Sequence, residues 1–232
     1  MPLDRVTFIE DWYDRLVART NEKTVLPDAI RSLLSGPKKT CLEIGLGTTP
    51  FFANQLSALF DSYTILEKQT EAKELPENST IVKGDWEHFE SGQTYDVILA
   101  SHVIYYFADK KAAIEKMIEA LSPGGQLFIV VNGKDGDYGP LKSTFSDMVN
   151  HPYTFTYDVL VRILEGRVYG EYSFPTTIPF SSGEDLFETL RLSFDQYPEE
   201  YEELKDQLVD YFDANVKDGT FTINQKIFVV TK

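Results

Sequence analysis

A chain of 232 residues, 42% apolar and 25% charged, is long enough to bury a substantial core and is expected to form a single domain, residues 1–232. Its 37 acidic against 22 basic side chains, a formal charge of −15, lack the lysine and arginine excess that gripping a phosphate backbone requires; they argue against nucleic acid and mildly favour a cationic small molecule. The single cysteine, Cys41, excludes a disulfide framework and any multi-cysteine metal site, and reads as a small core residue.

The first twenty residues are charged throughout, and no apolar run approaches the roughly 20 residues of a membrane span. The expectation is a cytoplasmic monomer or homodimer with no membrane partner. Residues 7–34 predict helix. Phe8, Ile9, Trp12, Leu16 and Val17 recur at helical spacing, as do Val25, Ile30, Leu33 and Leu34 after Pro27. Trp12 reads as core, and Tyr13 as part of a lid. The segment SGP (35–37) stops the helix. An apolar run over 40–44 predicts a first strand, followed by a glycine-rich turn and a helix over 50–60. Further strands are predicted at 63–66, 79–83, 95–100 and 126–131, with a helix over 110–121 and a turn at SPGG (122–125). Short apolar strands alternating with helices imply βαβ units and a doubly wound, mostly parallel α/β sheet covered on both faces. Beyond Asn132 the segment GKDGDYGP (133–140) reads as a long polar loop. It is followed by a helix at 157–164, a strand at 167–173, helices at 183–192 and 199–212, and a closing strand at 225–231.

The segment EIGLGTTP (43–50) ends the first strand. Gly45 and Gly47 let the backbone pass close to a ligand, and the next helix presents free N–H groups. Glu67 closes the second strand 22 residues after Gly45, a spacing at which a carboxylate accepts both hydroxyls of a ribose. Dinucleotides and S-adenosylmethionine are both read this way. The dinucleotide fingerprint needs a third glycine for helix packing, and position 50 is proline. A nicotinamide oxidoreductase would also need a Tyr–Lys or similar pair, and none is found. Glu43 precedes the first glycine by two, Asp85-Trp86 follows the third strand with a carboxylate and backbone N–H suited to adenine, and LSPGGQLF (121–128) leads into the fifth strand.

With these elements in order, residues 38–131 resemble the class I S-adenosylmethionine-dependent methyltransferases. The resemblance implies a seven-stranded Rossmann-like sheet with an antiparallel last strand. It divides the chain into a helical N-terminal lid (1–36), a cofactor-binding core (37–131) and substrate-side insertions with closing strands (132–232). Gly45 and Gly47 would pass the methionine moiety, Glu67 would hold the ribose, and Asp85 and Trp86 the adenine. Ser101 and His102 would border the methionine and the transferred methyl. Glu43, Thr49 and Lys68 complete the expected cofactor set, Thr49 standing where many members have glycine.

The segments SHVIYYF (101–107), VVNG (130–133) and FTINQKIFVV (221–230) are further similar to the histamine N-methyltransferase-like family. That similarity implies a substrate site of Tyr105, Tyr106, Asn224 and Glu22, with His102 where the family carries glutamine. Tyr105 and Tyr106 are adjacent, so one of them should be core. An alkylammonium has no lone pair and must lose a proton before it attacks. His102 is the candidate base, with Tyr106 beside it as a second candidate catalytic residue. His88 and His151 have no ligand-like partners, and no metal site is expected. The expected function is methyl transfer by in-line displacement from S-adenosylmethionine to a small-molecule amine. Transfer to a hydroxyl or carboxylate, and cofactor binding without turnover, remain the alternatives.

Overall fold

The computed structural model describes residues 9–36, 38–68 and 74–232. Phe8 of the first stripe and Pro37 of the helix stop lie outside them. Two helices, α1 (Glu10–Arg19) and α2 (Glu22–Leu33), precede β1 (Thr40–Ile44), α3 (Phe51–Leu56), β2 (Ser62–Glu67), β3 (Ser79–Lys83) and β4 (Tyr95–Ser101). A 3₁₀ turn (Ile104–Tyr106) leads to α4 (Lys110–Glu119) and β5 (Leu121–Gly136). Then come α5 (Tyr138–Met148), α6 (Thr156–Ile163), β6 (Tyr169–Pro179), α7 (Gly183–Thr189), α8 (Pro198–Glu203), α9 (Lys205–Asn215) and β7 (Thr220–Thr231).

The strands form one sheet in the order β3-β2-β1-β4-β5-β7-β6. Neighbours from β3 through β5 pair parallel, and β7 runs antiparallel to both β5 and β6. The doubly wound α/β expectation with an antiparallel last strand is therefore met. Strand order reverses between β1 and β4, so the crevice beyond their carboxyl ends is where an open sheet of this kind places ligands. Side-chain alternation builds two cores. Leu42, Ile98, Ile129 and Phe228 face one way, with Ile114, Met117 and Leu160 of α4 and α6. Cys41, Val97, Leu99, Val130 and Ile227 face the other, with Leu26 and Ile30 of α2 and Phe52 of α3. Each fully buried leucine or isoleucine contributes roughly 1.5–3 kcal/mol. Cys41 is buried as expected.

Several boundaries differ from expectation. The 122–125 turn is a bulge within β5, between the pairs Tyr95–Leu121 and Val97–Gln126. The polar loop expected at 133–140 is the end of β5 and the first turn of α5. Asp137 replaces the missing loop contacts, its N–H donating to Thr222 O (2.9 Å) and its carboxylate accepting from Thr222 N (2.7 Å). The acidic helix is interrupted at Leu204, between α8 and α9. Trp12 is not core, because no residue of α1 is buried. A third cluster, including Tyr138, Leu141, Phe187, Phe194, Phe212 and Phe221, forms the wall beyond the carboxyl edge of the sheet.

Candidate functional site

At the end of β1, Gly45 and Gly47 have φ of +80° and +66°, a region that costs any other residue strain. Gly45 N–H donates to Leu66 O (2.9 Å), tying the turn to β2. A Cβ on Gly45 would strike Val103, and one on Gly47 would lie 2.5 Å from the Tyr13 hydroxyl. Tyr13 of α1 thus lies directly on the turn. Burial, with Glu22, Glu43 and Asp14 nearby, pushes its hydroxyl well above the usual range, so it stays protonated. Glu67 is buried, and its Oε2 accepts from Leu46 N (2.7 Å). Glu43 is only 3% exposed and accepts from the Tyr63 hydroxyl (2.8 Å). Burial pushes its carboxyl up to about 8, so Glu43 is a neutral acid supporting the turn from inside the sheet.

Past β3, Asp85 pairs with Lys68 (2.6 Å) and accepts from Glu87 N (3.0 Å). Partial burial raises its pKa, but these two donors outweigh that and hold it below the usual carboxylate range. Trp86 is buried, and its indole Nε1 donates to Ala113 O (3.1 Å). Its side chain belongs to the core, leaving only its backbone to face a ligand. Thr49 is exposed at the start of the α3 turn, its carbonyl accepting from Phe51 N (2.8 Å). At the end of β4, Ser101 Oγ is buried with no hydrogen-bond partner. Carboxylates and an open hydroxyl at neighbouring strand ends, around a left-handed glycine turn, suit the ribose, amine and methionine groups of S-adenosylmethionine.

The second half of the candidate site starts at His102, whose φ of +55° is uncommon for a non-glycine residue. Its N–H donates to Val130 O (3.0 Å). Its Nε2 stands 3.0 Å from Glu22 Oε1, close but not aligned for a hydrogen bond. Tyr105 stacks parallel to the imidazole at 6.0 Å. Its hydroxyl accepts from Asn132 N (2.8 Å) and lies 3.5 Å from His102 Nδ1. Tyr106 meets Tyr105 edge-on at 6.5 Å. The 3₁₀ turn keeps both rings half-buried at the site, Tyr105 being the one that packs against the core.

The helix that carries Glu22 is anchored at its N-terminal end. Thr20 Oγ1 accepts from Glu22 N (3.2 Å), and Asn21 exchanges two hydrogen bonds with Thr177 of β6, 3.1 and 2.8 Å. Pro27 inside α2 cannot donate to Lys23 O; the freed carbonyl accepts instead from Gln55 Nε2 of α3 (2.5 Å).

Asn224 does not join this group. Odd residues of β7, such as Ile227, pack with Val97 and Leu99, whereas the Asn224 side chain projects to the opposite face beside Gly136. Its neighbour Gln225 takes the place: it is fully buried, its Nε2 3.1 Å from Thr176 Oγ1 and 3.5 Å from Glu22 Oε2. The apolar alternation Phe221, Ile223, Ile227 carries the signal that would have found it.

Sequence reasoning also missed the far wall. Lys142 is 3% exposed, donates to Ser193 O, and lies 3.8 Å from the Phe194 ring centre and 4.8 Å from that of Tyr153. Burial pulls its ammonium down to about 7 against the pull of Asp195. Burial pushes Asp195 up to about 6, with Lys142 opposing. Burial raises the hydroxyl pKa of Tyr106 and Tyr153, and Asp195 adds to both shifts. Tyr13, Tyr105, Tyr106 and Tyr153 thus lie near one another with Glu22 and Asp195, Tyr13 reaching the glycine turn.

Residues 9–167 match a family model described as a methyltransferase domain. No curated protein matches by sequence. Among solved structures, the YcgJ protein of Bacillus subtilis superposes with a TM-score of 0.62 at 14% identity, covering 90% of this chain and 97% of that one. The N-methyltransferase NodS of Bradyrhizobium japonicum WM9, in complex with S-adenosyl-L-homocysteine, gives 0.51 at 16% identity over 91% and 85%. Coclaurine N-methyltransferase, bound to N-methylheliamine and S-adenosylhomocysteine, gives 0.55 at 14% over 90% and 72%.

Proposed function

We propose that this chain, which belongs to the methyltransferase-domain family and is an S-adenosylmethionine-dependent enzyme, transfers the methyl group to the nitrogen of a small amine. The observation that carries the reading is the Glu22 carboxylate, 3.0 Å from His102 Nε2 at the end of β4, next to the Tyr105 and Tyr106 rings. A carboxylate among tyrosine faces suits a cation, held by ionic and cation–π attraction. The two structural neighbours named as N-methyltransferases agree with this choice of acceptor.

S-adenosylmethionine supplies an electrophilic methyl on a sulfonium. Gly45 and Gly47 would pass its methionine part, Glu67 would accept from its ribose hydroxyls, and Asp85 with the Trp86 backbone would meet its adenine. Ser101 Oγ would face the methionine amine or carboxylate. Glu22 binds the incoming ammonium, and His102 takes its proton at Nε2, Glu22 then stabilising the imidazolium. Tyr105 holds the imidazole plane by stacking, and Tyr13 closes the turn against water. Orientation does much of the remaining work, since holding nucleophile and methyl in line can lower a barrier by roughly 7–11 kcal/mol.

The test is methyl transfer from labelled cofactor to matched panels of small amines and hydroxy compounds. Label in amines alone is expected. Transfer only to hydroxyls or carboxylates, or cofactor binding without transfer to any acceptor, overturns the amine assignment.

A further inference from the structure

We infer that Gln225 reads the hydrogens on the acceptor nitrogen and makes this enzyme selective for a primary amine, which it methylates once. The inference rests on the amine reading above and goes beyond it in naming the substrate class and the number of methyls.

The orientation of the Gln225 amide follows from its neighbours. Thr176 Oγ donates its hydrogen to Ile223 O (3.0 Å), so toward Gln225, 3.1 Å away, it can only accept. Glu22 Oε2, 3.5 Å away, is a carboxylate oxygen and also accepts. The group facing both is therefore the NH2, and the chain from the Ile223 carbonyl to Glu22 settles which end of the amide is which. What remains is Oε1, fully buried and without a hydrogen-bond partner. An amide is planar, so this oxygen lies beside the nitrogen that touches Glu22.

A desolvated acceptor left unpaired is costly, and a ligand N–H relieves it. Glu22 and Gln225 Oε1 are thus two acceptors held side by side, and in this reading both meet the acceptor nitrogen. A neutral primary amine has two N–H groups for them while its lone pair points at the methyl. That lone pair forms the new C–N bond as the C–S bond breaks and its electron pair returns to sulfur. The product leaves as a secondary ammonium that keeps its two hydrogens, and the proton taken earlier by His102 passes to solvent. The neutral secondary amine has one N–H; binding it again for a second transfer would set a methyl against an acceptor and leave that acceptor unpaired.

The experiment compares kcat/KM for 2-phenylethylamine, tryptamine and cyclohexylamine with that for their N-methyl derivatives, in the native protein and in Gln225→Met. Methionine keeps the length and apolar bulk of the side chain and removes the oxygen. Thr176→Val is the second variant; it leaves Gln225 in place but frees the amide to turn. Stabilisation by S-adenosylhomocysteine serves as the check on folding. The native enzyme is expected to favour the primary amines at least tenfold and to release monomethyl product. Both variants should narrow that preference toward unity. An equal native rate on the N-methyl amines, or an unchanged preference in both folded variants, overturns the role of Gln225 while leaving the amine reading standing. No transfer to any amine overturns both.

Discussion

His102 sits in a left-handed backbone conformation, a strained choice for most side chains but one that asparagine tolerates. His102→Asn therefore removes the imidazole while keeping the backbone, and its expected effect is on chemistry alone. In steady-state assays kcat should fall by about 10²-fold, the usual worth of a positioned base, with cofactor affinity unchanged. Glu22→Gln should instead raise KM for the amine, because the ammonium loses its counter-charge. A kcat in His102→Asn equal to the native value would remove the histidine from proton transfer. Glu22 and His102 were both visible as residue types in suitable segments. Their meeting was not, since 80 residues of chain separate them and only the packing of α2 over the sheet brings them to 3.0 Å.

Among the helices, α1 is held differently from the rest. None of its residues is fully buried; Leu16 packs half-buried against the third cluster, and its other attachments are largely polar. Arg19 makes a two-pronged pair with Asp185 and donates to Thr189 Oγ1 (3.1 Å), and Arg15 pairs with Glu188 (3.0 Å). Asp14 meets Thr48 of the glycine turn. Partly exposed pairs of this kind contribute at most about 1 kcal/mol each and weaken with salt. Arg19→Ala should accordingly raise amide hydrogen exchange across residues 10–19 and loosen S-adenosylhomocysteine binding a few-fold, with both effects reproduced in the native protein at high salt. Exchange unaltered in the variant would mean that Tyr13 on Gly47 suffices to hold the helix. The amphipathic spacing of Ile9, Trp12 and Leu16 announced the helix and its inward face correctly but overstated its burial, because periodicity reports which residues align and says nothing of how deeply the aligned stripe is covered.

For the whole molecule, two buried ionisable groups should shape stability against pH in opposite directions. Glu43, held up at about 8 against a usual 4.5, keeps its proton in the fold where the unfolded chain has lost it. Stability thus falls as pH rises from about 4.5 to 8. Lys142, drawn down to about 7 from 10.5, has lost its proton in the fold where the unfolded chain retains it. Stability then rises between about 7 and 10.5. Denaturant unfolding across this range should show Glu43→Gln flattening the lower limb and Lys142→Met flattening the upper one. Limbs that persist in both variants would assign the pH dependence to other groups.

The order of strands and helices through β5, the glycine turn, Glu67 and Asp85 were all determined by the sequence, because each depends on local periodicity and on spacing within one βαβ unit. Local rules also placed Trp86 just after β3, but only the tertiary packing turned its indole into the core. The second half of the site was decided by the three-dimensional structure alone. Glu22 arrives from an N-terminal helix, Gln225 from the last strand, and Lys142 and Asp195 from the wall beyond it. Which of Asn224 and Gln225 faces Glu22 is a matter of strand register, and in a strand with period two a single position reverses the answer. The side of the site that would choose the acceptor is assembled from these long-range contacts, whereas the cofactor side is built almost wholly from short ones.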